Sequence, residues 1–364
     1  MGFHKFLNRN SNELFIVFSS INCPEGKFRF FKSFSERKSS VLYLNCDENS
    51  WYIEGVPSLG MNMAQTIESI RTIIDENEIE RVATFGSSMG AYGAILYGAL
   101  LHVSKIYAGC PELDLGIKGG FYNKYKTNSP ENNIFEALSD YNGSMEIFVS
   151  EESYVDLMQA ANLTRKIDQF IRVIPNDFHG VLESIESSVG INALISSVEL
   201  VGSPSVIDTI DSQELLAQSN LLYEAFEMIR DMEFSLTIVD ELLKVGGISK
   251  CQYLASHCYF LASVISMHSD NAEQAMEYSN MAIYARKSCM PSAKLISHHI
   301  RVALTSGAKE DIAHVVTSVR RLKLCSSARY LESNRSAKLK ESLTLLRKAS
   351  FEFNLPVLRM KSVI

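Results

Sequence analysis

The run Gly86-Ser87-Ser88-Met89-Gly90 sets a serine between two glycines, each two residues away. Where a strand runs into a helix, such a run closes into a tight bend. The bend carries the central hydroxyl out at the strand tip, and its neighbours at ±2 must lack side chains for it to close. Gly86 and Gly90 meet that need, and Gly93 and Ala94 let the following helix lie close to a sheet. A serine hydroxyl is a weak nucleophile, so chemistry at Ser88 requires a general base, and that base requires a group to orient it. In bends of this type the chain order is nucleophile, acid, histidine. His179, in Pro175-Asn176-Asp177-Phe178-His179-Gly180, follows the last strand signal and is the expected base. His102 ends the helix after Ser88, away from the strand tips, and reads as structural. Three carboxylates, Glu151, Glu152 and Asp156, follow the strand signal at 145–149. Asp156 is favoured because it precedes a helix expected over 157–166, which it could cap while facing His179; Glu152 is the next choice. An oxyanion needs two N–H donors. Met89 supplies one, and the turn after residue 18 supplies the second, at Ser20 or Ile21.

Such residues meet only if strands end side by side. Apolar runs rich in β-formers occur at 13–18, 41–45, 81–86, 105–108, 145–149 and 170–174. Helical spacing separates several of them, at 63–77 and 89–101, and a further helix is expected over 180–200. Strands alternating with helices imply right-handed crossovers and an α/β fold with a mostly parallel sheet. Past 202 the pattern changes to amphipathic helices, expected over 213–232, 234–244, 252–267, 272–287, 292–306, 310–322 and 336–353. Residues 1–202 are therefore read as an α/β catalytic domain and 206–364 as an all-α domain. The helices come in pairs, which suggests a tetratricopeptide-like array. A clean repeat does not emerge, so an irregular bundle fits equally.

Bulk composition narrows the field. The 364 residues are 46% hydrophobic and 21% charged, with a net charge of −7, which argues against nucleic acid as the main partner. Seven cysteines without a Cys-x-x-Cys pair give neither a disulfide framework nor a zinc-type cluster. The longest apolar stretch, 91–103, is too short to span a bilayer, and no signal-peptide pattern opens the chain. A cytoplasmic protein without a transmembrane segment is expected. His298, His299 and His314 lie on helices without metal-type partners and read as ordinary surface or packing residues. Residues 116–132, with Lys118, Tyr122, Lys124, Tyr125 and Lys126, read as a solvated loop or as a mobile lid contacting a polyanion.

Taken together, Gly86-Ser87-Ser88-Met89-Gly90-Ala91-Tyr92-Gly93-Ala94, Trp51-Tyr52-Ile53-Glu54-Gly55 and Asp177-Phe178-His179-Gly180 resemble the α/β-hydrolase-like proteins of bacterial surface-polysaccharide loci, capsule O-acetyltransferases among them. The resemblance covers about residues 13–200. It implies an α/β-hydrolase-like sheet, a Ser88–His179–acid triad, and acetyl transfer from acetyl-CoA through acyl-Ser88 to a sugar hydroxyl, with no resident cofactor and no metal. Trp51 and Tyr52 are then candidates to line the acceptor site, since aromatic rings stack on sugar faces; packing under the adjacent loop explains them equally well. The partners implied are a carbohydrate acceptor and an acyl donor, with a protein partner for the helical half. Two other functions use the same residues or none of them: an esterase or deacetylase in which water resolves the acyl-enzyme, and a non-catalytic scaffold.

Overall fold

The computed structural model describes residues 2–117, 120–126, 134–164, 170–174, 179–188, 190–195, 212–286, 291, 293–325 and 336–353. It divides into two compact units, Met1–Ser212 and Gln213–Ile364. The boundary expected at 202–206 lies outside the described residues.

The first unit is built on seven strands: β1 (His4–Leu7), β2 (Glu13–Phe18), β3 (Ser40–Leu44), β4 (Arg81–Ser87), β5 (Lys105–Gly109), β6 (Ser144–Ser150) and β7 (Phe170–Ile174). Their order is β1-β3-β2-β4-β5-β6-β7, and every pairing is parallel except that of β1 with β3. The stretch 14–18 is apolar on consecutive positions because both faces of the sheet are covered. Phe15 and Val17 join Phe34, Phe85, Tyr107, Phe148 and Leu182 in a core on one face. Phe18 turns the other way, edge-on to Tyr52 and Tyr97.

Helices α1 (Phe31–Ser35), α2 (Met63–Glu76), α3 (Met89–Leu100), α4 (Tyr122–Tyr125), α5 (Ile134–Ser139), α6 (Tyr154–Thr164), α7 (Val181–Ser188) and α8 (Ile191–Leu194) complete this unit. The fold is the α/β-hydrolase-like one expected, with two local differences. The helix expected over 180–200 breaks at Gly190, whose φ of 81° is open to glycine at little cost. The antiparallel edge strand β1 has no strong local signal, because its four residues gain their order from β3, about 40 positions along the chain.

The second unit is all helical among its described residues: α9 (Ser212–Ala217), α10 (Ser219–Asp231), α11 (Leu236–Ile248), α12 (Gln252–His268), α13 (Ala272–Ala285), α14 (Ala293–Ser306), α15 (Lys309–Cys325) and α16 (Ser336–Glu352). From α11 to α15 each helix packs on the next, and α16 returns onto α14. The buried histidines here are packing groups. Ser263 donates to the Ala275 carbonyl, and its oxygen lies 2.9 Å from His298 Nε2. His299 Nδ1 lies 2.8 Å from Ser279 Oγ. Burial pushes the two imidazoles down to about 3 and about 4, so both are neutral core residues at physiological pH.

Candidate active site

In an open parallel sheet, the loops at the carboxyl ends of the strands line one crevice, centred where the strand order reverses. Here the chain steps from β2 out to β3 and then across to β4, so the reversal falls beside the end of β4. Ser88 follows β4, Cys110 and Glu112 follow β5, Asp156 follows β6 and His179 follows β7.

Ser88 has φ 56° and ψ −121°, a conformation that side chains other than glycine's rarely adopt. The surroundings hold it there. Its N–H donates to the Gly109 carbonyl at 2.8 Å, and its own carbonyl accepts from Ala91 and Tyr92 at 2.9 and 3.2 Å. A Cβ on Gly86 would stand 2.0 Å from the Gly90 oxygen, and one on Gly90 would stand 2.5 Å from the Phe18 oxygen. Both glycines are therefore obligatory. Strain of this kind costs about 1–3 kcal/mol. Ser88→Gly is accordingly expected to be more stable than Ser88→Ala by about 1 kcal/mol once glycine's greater unfolded-state freedom is deducted. Urea unfolding of the two variants measures the difference, and an alanine variant at least as stable as the glycine variant would refute the strain argument.

Ser88, His179 and Asp156 come together. His179 Nε2 lies 2.6 Å from Ser88 Oγ, and its Nδ1 lies 3.0 and 3.1 Å from the two Asp156 carboxylate oxygens. With the Nδ1 proton donated to Asp156, Nε2 is left to accept from the serine hydroxyl. Asp156 is 3% exposed and Ser88 is 8% exposed. Burial is the largest single influence on His179 and pulls its pKa down. Asp156, Glu112 and Glu183 act against it, and the balance lies above the ordinary histidine value. An imidazole placed in this way can take a proton from Ser88 Oγ and return it.

One local expectation is corrected. Helix α6 begins at Tyr154 rather than at 157, so Asp156 lies inside its first turn and does not cap it. Ser153 Oγ instead accepts the Asp156 N–H at 3.4 Å, and the carboxylate is free to turn toward His179. Glu151 is buried at the end of β6, and Glu152 is half-buried with its N–H on Ser150 Oγ. Met89 is the first residue of α3, where helix geometry leaves the N–H without an intrahelical acceptor and the positive end of the helix dipole lies. Ser20 is buried in the turn after β2, next to the Phe18 and Ser19 oxygens that crowd Gly90. The Ser19 N–H is committed to the Leu44 carbonyl. His102 stands past the far end of α3, whose 12 residues span about 18 Å.

Of the two readings of Trp51 and Tyr52, acceptor lining is set aside and packing stands, because both are fully buried. The Tyr52 hydroxyl donates to the Ser19 and Leu44 carbonyls at 2.8 and 3.2 Å, and its ring lies against Phe18 and the Gly93 position. Trp51 packs beneath Tyr122 and Tyr125, at ring separations of 5.0 and 6.2 Å. Neither ring has a face open to a sugar.

Several neighbours of the triad carried no sequence signal. Cys110, at φ 46°, is fully buried, and its thiol hydrogen-bonds to Asp156. Ligand-type atoms of Cys110, Asp156 and His179 lie within 4.8 Å of one another. Burial, followed by the Asp156 charge, pushes the thiol well above its ordinary pKa, so it is held as a donor to Asp156. Ser87 donates to Glu183 at 2.8 Å, tying the bend to α7. Phe121 stacks on His179, at a ring separation of 4.3 Å and an interplanar angle of 27°.

No family model matches the chain, and a comparison with curated proteins finds no match. Among solved structures the chain is similar to the capsule O-acetyltransferase of Neisseria meningitidis serogroup A, with 15% identity over 52% of this chain and 92% of that one and a TM-score of 0.39. A mutant of that enzyme in complex with CoA matches at 16% identity over 52% of this chain and 92% of that one, with a TM-score of 0.39. Est1E from Butyrivibrio proteoclasticus matches at 13% identity over 49% of this chain and 86% of that one, with a TM-score of 0.34.

Proposed function

We propose that the first unit is a serine acyl-transfer enzyme with Ser88 as nucleophile, His179 as general base and acid, and Asp156 as the group that orients the imidazole. The observation that carries this reading is the unbroken hydrogen-bond relay from Ser88 Oγ through His179 to Asp156 at the strand tips. Attack by Ser88 Oγ on a carbonyl passes the hydroxyl proton to His179 Nε2. The negative oxygen then develops beside the Met89 N–H, with a second donor from the turn at Ser20. Collapse breaks the bond to the leaving group, which takes the proton from His179, and acyl-Ser88 remains. An acceptor hydroxyl then gives its proton to His179 and attacks the ester, and the acyl–Oγ bond breaks as His179 returns that proton to Ser88.

The finer reading rests on the sequence resemblance: acetyl-CoA as donor and a bacterial surface polysaccharide as acceptor. Water in the acceptor's place makes the same machinery an esterase or deacetylase. The full chain is to be incubated with p-nitrophenyl acetate and, separately, with acetyl-CoA, with and without a capsular-type glycan, and the peptide bearing Ser88 weighed. An acetylated Ser88 peptide with glycan-dependent release of CoA is expected. Ester hydrolysis alone would shift the reading to an esterase. No acyl-Ser88 and no activity with either donor would leave a scaffold.

A further inference from the structure

We propose that Glu112 is a positioning residue that latches residues 120–126 over His179. The proposal rests on the acyl-transfer reading only for the role given to His179.

Glu112 is 4% exposed, and none of its described partners is a lysine or arginine. Both of its carboxylate oxygens accept the Tyr122 N–H, at 3.0 and 2.9 Å, and the Phe121 N–H also donates to it. The carboxylate comes so close to Gly120 that a Cβ there would stand 2.2 Å from Oε1. Phe121, seated in this way, lies on the His179 ring, and Lys124 Nζ stands 4.4 Å from the Phe121 ring centre. On the other side, Tyr122 and Tyr125 pack on Trp51, and Asn22 donates to the Tyr125 hydroxyl at 3.3 Å. The loop that carries Glu112 is itself fastened to α6. Gln159, one turn beyond Asp156, accepts the Asp114 N–H at 2.8 Å and donates to the Asp114 carbonyl at 3.0 Å. The latch therefore links the helix that holds the acid to the loop that holds the base.

The ionisable groups facing Glu112 are His179, Asp156 and the Tyr122 hydroxyl; Glu54 in turn faces Tyr122, and Glu183 faces His179. Burial is the main cause that pushes the Glu112 carboxyl up, to about 7, and His179 moderates the rise. The sign follows from the bonding. Above neutrality the ionised group offers both oxygens to the backbone N–H groups. Below it, one oxygen carries a proton and the charge is lost, so the latch loosens. The imidazolium formed during acyl transfer favours the ionised, closed state.

Trp51 is the chain's single tryptophan, and it reports on this segment whether or not the chain turns over. In the full-length protein its emission is expected to move to the red as pH falls, with a midpoint near 7, in a scan between about pH 5.5 and 8.5. Glu112→Gln is expected to abolish the transition. Gly120→Ala should give the low-pH emission throughout, because the new methyl drives the carboxylate away. His179→Gln should keep the transition but raise its midpoint, since no imidazole then favours the charged carboxyl. A flat wild-type scan, a wild-type-like transition in Glu112→Gln or Gly120→Ala, or an unmoved midpoint in His179→Gln would each overturn the proposal.

Discussion

Replacing Ser88 by alanine is expected to leave a folded protein whose turnover falls by at least about 10⁴-fold, and replacing His179 by alanine is expected to cost a similar factor. The two variants differ in stability, and that difference identifies the relay. The Ser88 backbone is held by the Gly109 carbonyl and by the turn to Ala91 and Tyr92, none of which involves its hydroxyl. Ser88→Ala should therefore melt within a few degrees of the parent. His179→Ala removes the only described side chain that donates an N–H to Asp156, a carboxylate 3% exposed, and also removes the ring on which Phe121 stacks. Taking the imidazole donor from a buried carboxylate that still accepts from the Cys110 thiol costs about 1–3 kcal/mol. The double variant should be no slower than either single one, because a nucleophile without its base and a base without its nucleophile fail at the same step. Single-turnover release of p-nitrophenol, read beside thermal unfolding, checks both parts. A Ser88→Ala protein with parental turnover would end the acyl-transfer reading.

What could be read from the chain alone tracks how local each signal is. The bend at Ser88 was legible because its requirement is steric and confined to five residues: the bulk of a Cβ at 86 or 90 has nowhere to go. The parallel strands were legible because burial on both faces leaves uninterrupted apolar runs such as 14–18. What escaped depends on partners distant in sequence. Strand β1 is a strand only because β3 lies beside it. Trp51 and Tyr52 follow the polar stretch Asp47-Glu48-Asn49-Ser50, and the sequence left acceptor lining and packing under the adjacent loop equally open. Yet they turn inward with positive φ of 51° and 61°, and the acceptors of the Tyr52 hydroxyl are carbonyls of β3 and of the turn after β2. Glu112 and Phe121 meet only where the loop after β5 folds back on itself above His179, which no periodicity announces.

The carboxylate beside His179 shows the same limit at its finest scale, and it yields the second large expected effect. Glu151, Glu152 and Asp156 lie within six residues, and composition does not rank them. Position on α6 does: a residue in the first turn of that helix, capped from Ser153, projects back over the strand end, and Asp156 brings both oxygens to His179 Nδ1. Asp156→Asn keeps the shape but replaces one acceptor oxygen with an NH₂ donor. Facing that group, the imidazole is driven to carry its proton on Nε2, where it can no longer accept from Ser88. A fall in kcat of about 10³–10⁴-fold is expected, with little change in KM for a small ester. Glu152→Gln, on a half-buried side chain, should change turnover less than about threefold. Cys110→Ser supplies the intermediate case, because a hydroxyl still donates to Asp156 from the same position and should retain most of the activity. Measured as kcat across the three variants, the order Asp156→Asn far below Cys110→Ser, with Glu152→Gln near the parent, follows from the geometry. A large loss at Glu152 with Asp156→Asn active would reassign the acid and, with it, the state of the histidine.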